Sequence, residues 1–420
     1  MRKIFFVLVL AILSFSVCSE AVGSYQGNST FRQGKYLNYL DSAGDTQTFD
    51  FSTAPTADQV WTWNDNLWSP SASAGSQSVC QGRLTLESGV PISTADQTAK
   101  TEIYLTPYNG NWIGIYDGAD WGIHTFSEIG ISTTEAQTGT TTDTTYNITG
   151  LTNTEQLIVG MAVTGTGVGA DAVITGIENS TAVIVDVAST ATGENTITFK
   201  IPASKNVDIF AVDDSGVELR FGPLWTDDAT RATALTTQDG IKVLTESPTY
   251  RYLGSVGTGT TAGQVEDSTS LRHLYNKYNK VGRPINCTEP TNSWTYTTAT
   301  WRAANNNIAL GQTRISVLNG DADQLVSLDI NTIVINAGGT IPVACGVGVD
   351  STTTNSAQLL AGVVTNGVYG SISSTYIGRV AYGRHYYQQL EISGASGTTT
   401  WCGDLGVTYM HTGMCGLVET

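Results

Sequence analysis

Charge is what this sequence has least of. Only 14% of its 420 residues are Asp, Glu, Lys or Arg, against about 25% in an ordinary soluble domain. Lys is scarce at eight, His numbers four and Met four. So few Lys, with Thr and Gly in their place, disfavour a helical body. The basic side is short as well: 20 Lys+Arg face 37 Asp+Glu, for a formal net charge of −17. With no basic stripe to meet phosphates, nucleic acid is excluded as the expected partner, and an anionic membrane surface with it. No apolar run after the N-terminus is long enough to span a bilayer, which takes about 20 residues.

Catalytic and metal signatures are also missing. There is no GxSxG, no HExxH, no P-loop and no paired CxxC. His124, His273, His385 and His411 do not flank Cys or carboxylates at ligand spacing, so no metal and no cofactor is expected. Gly257-Thr-Gly259-Thr-Thr-Ala262 matches a loose dinucleotide pattern without a βαβ setting and reads as a flexible turn. Asn319-Gly320-Asp321 with Asp323 resembles half a calcium loop but lacks the twelfth-position Glu, and reads as a surface turn. With 37 acidic residues, some pair will sit at glycosidase spacing by chance, so none can be nominated.

What fills the chain is 62 Thr and 45 Gly. Thr fits a pleated, half-wet surface and Gly supplies tight turns. The expected fold is all-β: tandem β-sandwich or jelly-roll-like domains, with a small inserted β domain and one short connecting helix. Arg2 and Lys3 before the apolar run Ile4 to Leu13, with Ser19-Glu20-Ala21 behind it, read as a signal peptide or hydrophobic anchor over 1–21. Cleavage after Ala21 would leave Cys80, Cys287, Cys345, Cys402 and Cys415, an odd number; Cys402 and Cys415 are close enough in sequence to pair, which sequence alone leaves open.

Residues 22–79 read as a polar segment, with Trp61 and Trp63 alternating along a strand and a linker from Ser69 to Ser78. A β-sandwich domain is expected from 80–132 plus 200–262, with hairpin signals at Asn109-Gly110, Asp117-Gly118 and Asp213-Asp214-Ser215-Gly216. It is split by a Thr/Val/Gly-rich β domain at 133–199, between the strand patterns at Phe126 to Ile129 and Val207 to Val212. Leu271, Leu274, Tyr275 and Tyr278 fall at i, i+3, i+4 and i+7 behind the capping pair Asp267-Ser268, which predicts a helix stopped by Gly282 and Pro284 within a connector at 263–289. Residues 290–420 return to short strands as a C-terminal β domain. The aromatics Trp61, Trp63, Trp112, Trp121 and Trp401 lie where a ring could face a sugar; burial in a core is the competing reading for each.

From Gly82-Arg-Leu-Thr-Leu-Glu-Ser-Gly-Val-Pro-Ile onward, the chain resembles a structural module of tailed-phage virions, found in tail-fibre and other surface-exposed virion proteins. The resemblance continues through Tyr104-Leu-Thr-Pro-Tyr-Asn-Gly-Asn-Trp, Ile115-Tyr-Asp-Gly and Leu224-Trp-Thr-Asp-Asp-Ala-Thr-Arg-Ala-Thr-Ala-Leu. It goes on through Gln238-Asp-Gly, Arg251-Tyr-Leu-Gly, Tyr275-Asn-Lys-Tyr-Asn-Lys-Val, Asp350-Ser-Thr-Thr-Thr-Asn-Ser-Ala-Gln-Leu, Gly383-Arg-His-Tyr and Ala395-Ser-Gly-Thr-Thr-Thr-Trp. These stretches cover most of 82–132 and 200–420, in order. The insert is similar to a second unit of phage and bacterial surface proteins, in Thr149-Gly-Leu-Thr, Val159-Gly-Met-Ala-Val-Thr-Gly-Thr-Gly and Ala191-Thr-Gly.

The resemblance implies a non-enzymatic phage virion surface protein, tail-fibre-like or a decoration component, that contacts the host envelope. It would act as a homo-oligomer, a trimer by analogy with fibres, beside other virion proteins and against a host surface glycan or protein. It transfers no catalytic residues. The export-like start departs from it, because virion proteins assemble in the cytoplasm. That leaves a secreted bacterial adhesin or carbohydrate-binding protein carrying a phage-derived module as the alternative, with a polysaccharide-degrading enzyme behind both. The expected location is a virion surface or the extracellular space.

Overall fold

The computed structural model describes residues 77–364, 366–379 and 381–420, together with four strands nearer the N-terminus. The chain divides into two compact units, 1–74 and 75–420. In the first, Tyr36–Leu40, Thr46–Asp50, Leu67–Ala72 and Gln59–Asn64 form a sheet in that order. Trp61 and Trp63 do lie on one strand, opposite Pro70 and Trp68. The expected linker starts too early, since Ser69 to Ala72 belong to the strand Leu67–Ala72. The export-like segment 1–21 lies outside the described residues.

The second unit is all-β. Among the described residues the only helical piece is a single 3₁₀ turn, Ala304–Asn306. The connecting helix is therefore replaced by three short strands, Val265–Asp267, Leu271–Arg272 and Leu274–Asn276. Ser268 caps a tight turn there, its hydroxyl accepting from the Leu271 amide at 3.2 Å. Leu274, Tyr275 and Asn276 are all buried, and a segment covered on both faces produces closely spaced apolar residues without any helical period. Asn276 takes the place of a strand neighbour: its side chain accepts from the Leu84 amide at 2.7 Å and donates to the Leu84 carbonyl at 3.1 Å.

Two layers of strands enclose the C-terminal core. In the C-terminal half, one sheet contains Ile341–Val349, Gly383–Ser393 and Arg314–Asn319; the facing sheet contains Gly282–Thr288, Gly413–Glu419, Leu325–Ala337 and Gly370–Arg379. Val326, Leu328 and Ile330 from one sheet meet Val343, Cys345 and Val347 from the other in a single apolar cluster, the packing of a β-sandwich. The first of these sheets also takes in Val265–Asp267 and Gln97–Lys100, so its strands are not confined to 290–420. In the N-terminal half, Asn206–Asp213 and Ser247–Gly257 sit at the centre of a six-stranded sheet.

Residues 134–200 form their own six-stranded sheet. Its first and last strands pair from Thr134↔Lys200 to Thr141↔Gly193, so entry and exit lie side by side. Its apolar residues, Ile148, Val183, Ile197 and Phe199 among them, belong to the same cluster as Ile103, Ile113 and Ile209 of the flanking strands.

Turn chemistry accounts for much of the connectivity. Asp117 to Asp120 closes the hairpin Trp112–Tyr116 with Trp121–Thr125, and Asp214 to Gly216 closes Asn206–Asp213 with Val217–Leu224. Ser215 and Gly216 take φ of 66° and 135° there. Asn109-Gly110 behaves differently from a hairpin. The strand before it, Glu102–Pro107, pairs with Gly82–Thr85 and Ile129–Ser132, while the strand after it pairs onward with Trp121–Thr125. The turn passes the chain from one sheet to another, with Gln81 Oε1 accepting the Trp112 amide at 3.1 Å. All five described cysteines are free, so Cys402 and Cys415 do not pair.

Candidate functional site

A cavity of about 240 Å³ opens where two hairpin tips meet the strand Ser247–Gly257. It is lined by Tyr116 and Asp117 from the first tip, Asp213, Asp214 and Arg220 from the second, and Tyr250 from the strand. Drug-sized pockets run to roughly 300–1,000 Å³, so this one has room for about a single sugar ring.

Each wall is held by local bonds. Asp117 Oδ1 accepts the amides of Ala119 and Asp120 at 2.7 and 2.8 Å. These amides hold its carboxyl below the usual carboxylate range. Asp213 Oδ1 accepts the Gly216 amide at 3.2 Å, and its other oxygen lies 3.8 Å from His124 Nε2. Arg220 is anchored three ways, to Glu218 at 2.5 Å, to Glu155 of the insert at 3.2 Å and to Asp214 at 3.3 Å. Tyr250 leans edge-on against buried Phe210 with ring centres 6.0 Å apart. Tyr116 stacks obliquely on Trp121 at 5.6 Å, whose Nε1 donates to Asp239 at 3.0 Å.

This arrangement offers several carboxylate acceptors, two phenol rings and one guanidinium already occupied by carboxylates. Hydroxyl groups can donate to such acceptors, and the C–H face of a sugar ring can lie on the tyrosines. An anionic ligand would meet like charge. Asp117 is tied into its own turn as an anion and is not a proton donor near neutrality.

The nominated aromatics do not converge. Trp121 borders the cavity through Tyr116, while Trp112 is 42% exposed at the far end of the same hairpin, paired with Thr125. Trp401 is fully buried, its Nε1 donating to the Tyr296 carbonyl at 3.0 Å, so it is a core residue and faces no ligand. The side chains of Trp61 and Trp63 lie outside the described residues. Sequence reasoning missed Tyr116, Tyr250 and Arg220. The only signals for this place were the turn pairs Asp117-Gly118 and Asp213-Asp214, which looked like plain turns.

The other motifs resolve into structure. Lys277 holds Asp321 at 2.7 Å and Asp323 at 3.0 Å, and Lys280 holds Asp323 at 2.5 Å, so the half calcium loop is an ion-paired turn. The Gly257–Ala262 stretch borders a space of about 60 Å³, too small for a dinucleotide. Among the described residues no three His, Cys, Asp or Glu side chains gather to hold a metal ion.

No family model matches the chain, and no curated protein matches it. Solved structures similar to it include one of infectious bursal disease virus, Gx strain, at 12% identity over 71% of each chain with a TM-score of 0.22. Another is a mutant VP2 protein of the same virus in derived T=1 particles, at 14% identity over 68% of this chain and 77% of that one, with a TM-score of 0.16. Scores at this level carry no argument about fold or function.

Proposed function

We propose that the chain is a non-enzymatic, strand-built component of a virion surface, and that the cleft between Tyr116 and Tyr250 contacts a neutral saccharide of the host envelope. The ordered resemblance over 82–132 and 200–420 supports the virion part. The observation that carries the contact part is the cleft itself, where two phenol rings stand among Asp117, Asp213 and Asp214 at the tips of two hairpins. The carboxyl raised to about 7, that of Glu391, is 1% exposed and engaged by Trp294 and Arg302. It lines neither described cavity, which supports a binding role over hydrolysis.

Tail-fibre or decoration identity is the finer form of this reading, with homo-oligomers and other virion proteins as partners. A second reading, a secreted bacterial adhesin, is favoured by the export-like residues 2–21; an intact mass starting at Val22 would support it.

Three measurements test the proposal. Proteomics of purified particles should recover this chain, and its absence would overturn the virion assignment. A glycan array should show binding to neutral saccharides that falls at least tenfold in Tyr116→Ala and Asp213→Ala, and undiminished binding in both would remove the cleft. Incubation with envelope polysaccharide should release no oligosaccharide; release would make the chain an enzyme.

A further inference from the structure

The outer face of the sheet built from Gly282–Thr288, Gly413–Glu419, Leu325–Ala337, Gly370–Arg379 and Leu359–Ala361 breaks the usual pattern of a one-sided antiparallel sheet. Burial alternates cleanly along these strands, as in Gly282–Thr288 and Gly370–Arg379. The inward positions make the sandwich core, and the outward ones should be polar. Instead Leu417 and Ile377 are each 54% exposed and Leu359 is 68% exposed. Strand register places Pro284, Leu417, Ser327 and Ile377 in one row across four strands. The next row is Asn286, Cys415, Asp329, Thr375 and Leu359. The third is Thr288, Gly413, Asn331 and Ser373.

We propose that this face is where a second copy of the chain docks, sheet against sheet about a two-fold axis. Three features point to that occupant. Charge is the first: the chain carries −17 overall, yet these three rows hold a single ionisable carboxylate, Asp329, which already accepts from Thr375 Oγ1 at 2.5 Å, and the outward row beside them, Gly282, Glu419, Leu325 and Arg379, adds one charge of each sign. Two copies can approach here without stacking like charges. Shape is the second. One row is large and apolar while the third is small, with Gly413 and Ser373, so a two-fold can set the bulky row of each copy over the small row of the other.

Area is the third. Four strands of seven to thirteen residues, about 4.8 Å apart, with the three-residue strand Leu359–Ala361 at their edge, cover roughly 550 Å² per copy, about 1,100 Å² in all, just above the roughly 1,000 Å² that a specific interface must clear. The inference is independent of the saccharide reading, because this sheet shares no residue with the cleft.

Cys415 supplies the readout. It stands in the middle row and is exposed, whereas Cys80, Cys287, Cys345 and Cys402 are buried. The full-length protein should sediment as a dimer at tens of micromolar. In a Cys18→Ser background the Cys415 thiol should be protected at least tenfold from a thiol reagent relative to dilute protein. Leu417→Lys and Ile377→Lys place a charge on an exposed site that the fold does not need. They should raise the dimer dissociation constant at least a hundredfold and restore fast Cys415 labelling, with the melting profile of the dilute chain unchanged.

A wild-type monomer at these concentrations would overturn the proposal, and so would a dimer or trimer that survives both substitutions. Protection of Cys415 that persists in monomeric protein would assign the face to another part of the same chain and overturn it equally.

Discussion

Arg83 donates through Nη2 to the Thr420 carbonyl at 2.7 Å, joining two residues 337 positions apart. The same guanidinium also reaches the carbonyls of Pro91 and Asn279. It is 1% exposed, and burial, with Arg283 nearby, brings its pKa down to about 10. One side chain thus closes the strand Gly82–Thr85 onto the end of the last strand.

Removing it leaves three carbonyls without their donor. Arg83→Met should cost roughly 3 kcal/mol, within the usual range for breaking a buried polar network. Arg83→Lys keeps the charge but cannot span three acceptors, and should recover less than half of the loss. Thermal melting followed by near-ultraviolet circular dichroism reads both; an unchanged midpoint in the Met variant would show that the clasp is dispensable.

Glu391 sets a pH dependence of a definite sign. Burial lifts its carboxyl to about 7, outweighing the hydrogen bonds from Trp294 Nε1 and Arg302, each at 2.7 Å. Between about pH 4.5 and 7 the folded chain therefore keeps a proton that the unfolded chain has released. Stability should decline across that window as pH rises, by roughly 3 kcal/mol in all. Glu391→Gln should flatten the decline, and denaturant titrations at pH 5, 6, 7 and 8 check it. Equal slopes in wild type and variant would place the dependence elsewhere.

A second pair works near the surface. His385 Nδ1 and Asp350 Oδ2 are 2.6 Å apart, and the Tyr386 amide donates to the other Asp350 oxygen at 2.9 Å. Burial disfavours the imidazolium, but the bond to Asp350 outweighs it and raises the His385 pKa. Burial likewise opposes the Asp350 anion, and His385 with the Tyr386 amide overcomes it and lowers that pKa.

The histidine contribution is complete below about pH 6.5 and is lost as pH climbs through the raised value. The aspartate contribution is present above about pH 3.9 and is lost as pH falls through the lowered one. In an NMR titration, Asp350→Asn should bring the His385 midpoint down. An unmoved midpoint would assign the shift to other neighbours.

What the sequence made legible were features written within a few residues. The strand runs at Gly82–Thr85 and Asn206–Asp213 and the turns at Asp117-Gly118 and Asp213 to Gly216 all rest on local chemistry. Features that depend on what covers a strand were not legible. The alternation around Trp401 fixes its side of the sheet but not that a second sheet closes over it. The apolar spacing from Leu271 to Tyr278 looked helical because both faces of that segment are covered by strands far away in sequence. The cleft was hidden for the same reason, since Tyr116, Arg220 and Tyr250 meet only after three separate segments have folded.

Gly254 tests that long-range packing most sharply. It lies on Ser247–Gly257 opposite Asn276, beside the irregularity where Ile209 faces Gly254 and Phe210 faces Tyr252. A Cβ at this position would stand 2.0 Å from the Tyr275 carbonyl oxygen and 2.8 Å from Leu84 Cδ1. The first neighbour is backbone and cannot swing aside, so relief would require the Leu274–Asn276 strand to move off its partner. That strand positions Asn276 against Leu84 and Tyr275 against Asp323, whose hydrogen bond is 2.6 Å. Gly254→Ala should therefore cost at least about 3 kcal/mol, well beyond the intrinsic difference between the two residues. Gly339→Ala is the matched control, because nothing lies within 4 Å of its added Cβ, and it should fall within about 0.5 kcal/mol of wild type. Equal melting temperatures for the two variants would mean that the segment 274–276 does not pack as a strand against 254–256, and the replacement of the expected helix would fail with it.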